Sequence, residues 1–449
     1  MKKDKQYAAF YGCLIQNKYP YIEILAKRVL EKLGVDIIDL DDFSCCPDPL
    51  SIRGYDERTW YAIAARNLAI AEEKGLDIIS FCNGCYGTLK NVNMELKENS
   101  ALRNEINKLL AEEEGLHYNG SVHVKDILEV LAFDIGPIEI EEHITRPLTG
   151  VTIATHPGCH LLRPSDKILF DDPIDPSVFD RLIEAIGAAP LNYPEKMLCC
   201  GGSLSSTSEQ AAYDLVRLKL ESLQHRGTDG IAVVCPNCFS QYDLAQFQVN
   251  RIDETNFEIP TFYFLELLGI ALGMEDVVEI SFPYHVIPTD SVFQKLRMKQ
   301  IALDEIKRHF DYESLRICAS CGACEEDCPV AEVKDFEPHK IVQDVLNGNL
   351  ESVIDAGEFW NCIACYTCYE LCPQNFGLTD FFTQLKNMAS KRGKIPDFIN
   401  KKKNMLLASG RGLPDSNVFR EELDLPELKK LKLKLLKKKL DCVDDGPIS

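Results

Sequence analysis

Positive charge is in short supply in this chain. Its 49 lysines and arginines face 70 aspartates and glutamates, for a formal net charge of −21. That deficit disfavours nucleic acid and anionic membrane surfaces as global partners. Long apolar runs are missing too. No stretch reaches the ~18 residues that a spanning helix needs. The nearest, residues 259–274, is shorter and carries Glu266. The opening MKKDKQYAAFYGC is basic, but no adequate apolar stretch follows, so no export signal is read there. A glycine-rich dinucleotide loop is also absent; Gly201-Gly202 belongs to a cysteine motif. These absences predict a cytoplasmic protein with no transmembrane segment and no nucleic-acid partner. At 449 residues and 45% hydrophobic content, the chain is long enough for two or three well-packed domains.

Cysteine, by contrast, is abundant, at 19 residues. Without export, that number suggests metal ligation rather than disulfides. Ten of them form two copies of one pattern: Cys13, Cys45-Cys46 and Cys82-x-x-Cys85, then Cys159, Cys199-Cys200 and Cys235-x-x-Cys238. The gaps nearly repeat, with 31 and 35 intervening residues in the first copy and 39 and 34 in the second. Five thiolates are one more than a tetrahedral zinc or an ordinary cubane needs. The repeated surplus points to a pair of unusual iron–sulfur centres.

The surrounding sequence reads as α/β. In both copies an apolar strand runs into a cysteine: YAAFYG before Cys13, DIISF before Cys82, VTIAT before the segment ending at Cys159, and GIAVV before Cys235. WYAIAARNLAIAEEKG and the stretch 206–225 have helical periodicity. Residues 1–148 and 149–273 are therefore expected to be two pseudo-symmetric, Rossmann-like, cysteine-rich units. In open α/β sheets, sites form outside the carboxyl ends of the strands, which is where these cysteines fall. Residues 274–310 are expected to be a linker and a helix, 311–395 a mostly helical ferredoxin-like domain, and 396–449 a basic tail. In that tail LKKLKLKLLKKKL carries seven lysines and reads as a solvated or partner-docking helix, and Cys442 reads as no ligand.

The third unit holds Cys318-x-x-Cys321-x-x-Cys324-x-x-x-Cys328-Pro329 and Cys362-x-x-Cys365-x-x-Cys368-x-x-x-Cys372-Pro373. This is the bacterial two-cluster run, in which the fourth cysteine of each run serves the other cluster. Cys318, Cys321, Cys324 and Cys372 are assigned to one [4Fe–4S] cubane. Cys328, Cys362, Cys365 and Cys368 are assigned to the other. Between the runs, PHKIVQDVLNGNLESVIDAGEFW reads as inserted helices. Trp360, Tyr366 and Tyr369 are read as packing around the ligands.

At this point the chain resembles heterodisulfide reductase, its B-type part first and its C-type part second. The segments that carry the resemblance are FYGCLIQNKYP, FSCCPDP, FCNGCYG, HPGCHLLRPSD, MLCCGG and CPNCFSQYD, then CASCGACEEDCP and CIACYTCYELCP. The B-then-C order points to a natural fusion of the soluble subunits. The resemblance implies two CCG-type domains, each binding a noncubane [4Fe–4S] cluster. Cys13, Cys45, Cys46, Cys82 and Cys85 would hold one; Cys159, Cys199, Cys200, Cys235 and Cys238 would hold the other. Pro47 stands where the generic motif has glycine, a change the family tolerates there.

The implied reaction is cleavage of a small-molecule disulfide by two one-electron steps, with electrons arriving through the cubanes. In methanogens the substrate is the coenzyme M–coenzyme B heterodisulfide, anionic at both ends. It requires cationic donors, for which Arg53, His160 and Arg163 are candidates. His160 is also the candidate proton donor, and His156 and His160 are candidates for hydrogen bonds to cluster sulfurs. The implied partners are a flavin-containing A-type subunit that bifurcates electrons, with FAD held there, and ferredoxin reached through it. A hydrogenase, formate dehydrogenase or F420-dependent module would donate electrons, in a dimer of multi-subunit units. Two further readings remain open at this stage. One is an electron-transfer subunit of a bacterial complex with a different acceptor. The other is the iron–sulfur subunit of a hydroxy-acid oxidase or fumarate-reducing system.

Overall fold

The computed structural model describes residues 5–318, 321–374, 376–412 and 417–428. The lysines from 429 onward and Cys442 lie outside the described residues. The chain divides into two compact units, Met1–Arg297 and Met298–Ser449.

The first unit contains two small sheets built to one plan. In the amino-terminal half, β1 (Lys5–Phe10) lies between β2 (Val35–Asp39) and β3 (Asp77–Ser80), and β4 (Val124–Asp126) pairs with β3. In the other half, β5 (Thr152–His156) lies between β6 (Ala189–Leu191) and β7 (Gly230–Val233), and β8 (Thr261–Tyr263) pairs with β7. Every pairing is parallel, and the orders β2-β1-β3-β4 and β6-β5-β7-β8 are identical. Parallel strands are covered on both faces, which is why β3 and β7 read as near-continuous apolar runs. The crossovers are amphipathic helices such as Glu57–Glu73 and Glu209–Arg226. Asp56 caps the first by accepting from the Thr59 amide at 3.0 Å, and Gly227 ends the second in a left-handed conformation at φ 73°.

This order fixes where chemistry can occur. The chain leaves β1 toward β2 on one side and returns to β3 on the other, so the loops after β1 and β3 splay apart and leave a crevice. Cys13, in the first turn of the helix after β1, and Cys82, at the cap of the helix after β3, stand at that crevice. The chain after β5 and β7 does the same with Cys159 and Cys235.

The stretch 274–290, expected as a linker, is instead packed structure. It forms the helix Glu275–Val278 and a 3-10 turn Glu279–Tyr284, and Val278 and Ser281 are buried. The buried Asp243 carboxylate accepts from the Val286 and Ile287 amides at 2.8 and 3.0 Å. Glu266, the charge inside the apolar run, accepts from the Tyr263 amide and pairs with the buried His285 at 2.7 Å. A buried carboxylate with such partners is tolerated, and local sequence could not reveal them.

The second unit contains no strand among its described residues. The helices Pro338–Leu346, Leu350–Ala356 and Leu378–Lys391 enclose a core that includes Val342, Phe359, Phe381 and Phe382. The first two occupy the inserted segment between the cysteine runs.

Candidate functional site

Each cysteine set of the first unit gathers at the carboxyl edge of its sheet. Gly12, at φ 75°, lets the chain turn from β1 into Cys13; a Cβ there would stand 2.6 Å from Cys85 Sγ. Gly158, at φ 83°, does the same before Cys159, where a Cβ would collide with Asn83. Glycine is required by both the angle and the closeness of these neighbours. Gly12→Ala is accordingly expected to disrupt the first set while sparing the second, lowering the iron content of the purified chain. Metal analysis checks this against the parent protein, and an unchanged iron content would contradict it.

The ten thiols form one unbroken series of neighbours. Within the first set, the thiols neighbour one another in the order Cys13, Cys45, Cys46, Cys85 and Cys82. Cys82 meets Cys235 of the second set. From there the series runs to Cys238, Cys200, Cys199 and Cys159, with Cys200 and Cys238 sulfurs 3.4 Å apart. The amides of Gly201 and Gly202 donate to Cys199 and Cys200 sulfurs, both at 3.4 Å.

Such crowding splits the acidities. Hydrogen bonds from Cys45 and Cys85 hold Cys46 down at about 4. Cys159 and Cys200 hold Cys199 down at about 2. Cys200 is pushed up to about 12, first through its bond to Cys199. Like charges this close do not all ionise unaided. A multiply charged cation among them removes the conflict, because coordinating thiols deprotonate outright. The donor set therefore suits an iron–sulfur centre in each half.

The two halves are locked where the series crosses between them. Asn83, just after Cys82, donates to the Pro157 carbonyl at 2.5 Å. The buried Tyr263 hydroxyl donates to the Phe81 and Val234 carbonyls, the residues directly before Cys82 and Cys235. Gly87 makes room for His160, since a Cβ there would come within 2.9 Å of the histidine Cβ.

Sequence reasoning passed over the most unusual group nearby. Lys219 is completely buried; its side-chain nitrogen lies 2.7 Å from His156 Nδ1 and donates to the Lys196 carbonyl at 3.0 Å, an oxygen that His156 Nδ1 also approaches to 3.3 Å. It lies over the rings of Tyr193 and Tyr242, 5.6 and 5.4 Å from their centroids. Burial pulls its pKa down to about 7 against the upward push of Cys238, Cys200 and Cys199. His156 is buried as well, and burial followed by Lys219 holds its pKa well below the usual imidazole range. A ring nitrogen of His156 lies within 4.8 Å of both Cys200 and Cys238 sulfurs. The signal was available: the apolar stripe Ala212, Val216, Leu220 and Leu223 has Lys219 on its face.

The cationic candidates are differently placed. Arg53 ion-pairs with Glu57 at 2.8 Å and lies 4.6 Å from the Trp60 ring centroid. Arg163 is exposed and donates to the Pro173 carbonyl at 3.1 and 2.6 Å. Both are thus held by local partners. His160 is half-buried where the halves meet. Beside Cys13 and Cys45, a cavity of about 310 Å³ is lined by Glu23, Asp39 and Asp41.

In the second unit, the cysteine runs cross. One cavity is lined by five cysteines, Cys318, Cys321, Cys324, Cys368 and Cys372. Another is lined by Cys324, Cys328, Cys362, Cys365 and Cys368, so that Cys372 joins the first run's cavity, Cys328 the second's, and Cys324 and Cys368 border both. Gly322 and Tyr366, each following the second cysteine of its run, share a left-handed conformation at φ 66° and 63°. The Phe376 amide donates to Cys372 sulfur at 3.2 Å. Trp360 packs on the core beneath Lys386, whereas Tyr366 and Tyr369 are about half exposed.

Known proteins match this arrangement. The cysteine-rich domain model called CCG matches residues 7–90 and 153–243, and a 4Fe-4S dicluster domain model matches residues 314–376. The B-type subunit of a ferredoxin/F420H2-dependent CoB-CoM heterodisulfide reductase from Methanosarcina acetivorans is 41% identical over 266 residues, covering 59% of this chain and 88% of that one. A C-type iron–sulfur subunit of a CoB–CoM heterodisulfide reductase from Methanocaldococcus jannaschii is 31% identical over 147 residues, covering 29% of this chain and 78% of that one. The membrane anchor subunit of an 8-methylmenaquinol:fumarate reductase from Wolinella succinogenes is 26% identical over 270 residues, covering 60% of this chain and 93% of that one. No helix among the described residues here is long and apolar enough to cross a membrane. Two cysteine-rich domains of the B type and a dicluster domain of the C type in one polypeptide place the chain in the heterodisulfide reductase family of oxidoreductases.

Proposed function

We propose that this chain is the disulfide-cleaving and electron-relay part of a heterodisulfide reductase complex. The observation that carries the reading is the continuous series of ten thiols, two five-membered sets meeting at Cys82 and Cys235. Clusters held by the two sets would supply one electron each, which is the requirement for splitting an S–S bond into two thiols. The protein's own part is to hold the sets on either side of one rigid seam, fixed by Asn83 and Tyr263. His160, half-buried at that seam, would deliver a proton from its imidazole to a leaving thiolate. The crossed cysteine runs of the second unit would hold two cubanes and pass electrons one at a time.

The relatives' names supply the proposed substrate, the heterodisulfide of coenzymes M and B. Arg53 and Arg163 would have to release their present partners to bind its anionic ends. On this reading a flavin-containing A-type subunit delivers the electrons. Its donors would be a hydrogenase, a formate dehydrogenase or an F420-dependent module, in a cytoplasmic dimer of multi-subunit units. A second reading is relay to a different acceptor. Its support is the acid-lined cavity beside Cys13 and Cys45, which repels a polyanion, together with the similarity to part of a fumarate reductase.

An anaerobic assay coupled to reduced viologen separates the two readings, because the dye bypasses the flavoprotein. The purified chain is offered the heterodisulfide, its two homodisulfides and glutathione disulfide. Selective turnover of the heterodisulfide is expected. No turnover at about sixteen irons per chain would overturn it in favour of relay.

A further inference from the structure

Matching positions of the duplicated halves carry different charge. Phe10 stands three residues before Cys13, as His156 stands three before Cys159. The buried stripe Ala212, Val216, Lys219, Leu220, Leu223 repeats Trp60, Ala64, Asn67, Leu68, Ala71 position for position. Lys219 therefore takes the place of Asn67.

Beneath the first set the counterparts are neutral. Phe10 packs on Phe43 with ring centroids 5.0 Å apart. The Asn67 side chain accepts from the Ser44 amide at 2.9 Å and donates to the Cys45 carbonyl at 3.0 Å. Beneath the second set is a buried lysine whose partners all favour an ammonium: an imidazole lone pair, a carbonyl and two aromatic faces. Glu195, the acid that bears on Lys219, is occupied by the Ser222 hydroxyl. The first set faces the opposite field, from Glu23, Asp39 and Asp41, offset in part by Lys27, which pairs with Glu23 and Asp39.

We propose that Lys219, acting through His156, makes the two five-cysteine sites electrostatically unequal and marks the second as the one where an added electron is held. The inference rests on reading both sets as cluster sites. An electron arriving from a reduced donor adds one negative charge to whichever site takes it. In a low-dielectric interior a nearby buried cation stabilises that charge, and a neutral amide does not. Nδ1 lies between the Lys219 nitrogen at 2.7 Å and the Lys196 carbonyl at 3.3 Å; a charged Lys219 has no lone pair and can only donate to Nδ1, which leaves Nε2 as the imidazole's donor nitrogen. Nε2 is buried and has no hydrogen-bond partner among the described residues, and the ring stands beside Cys200 and Cys238. A hydrogen bond to sulfur raises a cluster's potential in the same direction as the charge. Lys219 is thus a positioning and tuning residue, and the seam gains a preferred direction for electrons.

The test is an anaerobic redox titration of the iron-loaded full chain, followed by electron paramagnetic resonance. Cys46→Ala and Cys200→Ala identify the signals of the first and second sites by their loss. In the unaltered protein the second site is expected to be favoured over the first by at least tenfold, which is about 59 mV for one electron. Lys219→Met should lower the second site by at least that factor and leave the first-site and ferredoxin-type signals in place. Lys219→Arg should restore most of it. Equal or reversed order in the unaltered protein would overturn the inference. So would an unmoved second-site signal in an iron-replete Lys219→Met, or a shift shared by all signals. If Lys219→Met does not take up iron, Lys219→Gln replaces it, and the order in the unaltered protein decides without any variant. Should Cys200→Ala remove no signal, the cluster reading itself falls, and the inference with it.

Discussion

Cys200→Ala is expected to abolish disulfide reduction while leaving the ferredoxin-type signals of the second unit intact. The Cys200 sulfur is buried, receives the Gly202 amide and lies 3.4 Å from Cys238, in the middle of the second set. Alanine fills about the same backbone space, so the sheet and its crossovers should survive. What is lost is one of five donors at a site where the remaining four cannot balance the charge in the same way. Loss of an outer-shell partner alone costs about 10–100-fold, so loss of a ligand should exceed a hundredfold in rate. The check is viologen-coupled turnover alongside low-temperature paramagnetic resonance on the same sample. Retained turnover would remove the second set from the chemistry.

Cys328→Ala carries the second large effect, and its direction is not the obvious one. By proximity in sequence, Cys328 belongs with Cys318, Cys321 and Cys324. In the folded unit it lines the cavity of Cys362, Cys365 and Cys368 instead. Cys372 correspondingly lines the cavity of the first run. The substitution should therefore damage the cluster on Cys362–Cys368 and spare the one on Cys318–Cys324, lowering iron from about sixteen toward about twelve. Comparing it with Cys372→Ala, which should do the reverse, makes the assignment a matched pair of spectra. If each variant lost the cluster of its own run, the crossed arrangement would be wrong.

Much of this protein was legible from spacing. Two matched five-cysteine patterns leave a thiol few roles besides metal ligation. Strands that end at cysteines announced where the crevices would form, because period and length are local properties of the chain. The helices Pro338–Leu346 and Leu350–Ala356 were visible in the same way. The segment 274–290 was not, since its amides are satisfied by Asp243 and its histidine by Glu266, partners at least 19 residues away. Arg53 and Arg163 stood near cluster loops in sequence, yet each is engaged locally by Glu57 or by the Pro173 carbonyl.

The sequence alone determined the inventory: which thiols exist, in what order, on which duplicated α/β frame and beside which two-cluster run. It could do so because ligand spacing and hydrophobic period are written over short distances. Tertiary structure alone decided that Cys82 meets Cys235, joining two sets that are separate in the chain. It also decided that Lys219, one lysine among many, lies buried against His156 while its counterpart Asn67 stays neutral. Those facts depend on which faces of two sheets come together. The charge a site feels is set by neighbours in space, and a buried neighbour acts without the screening that water gives an exposed one.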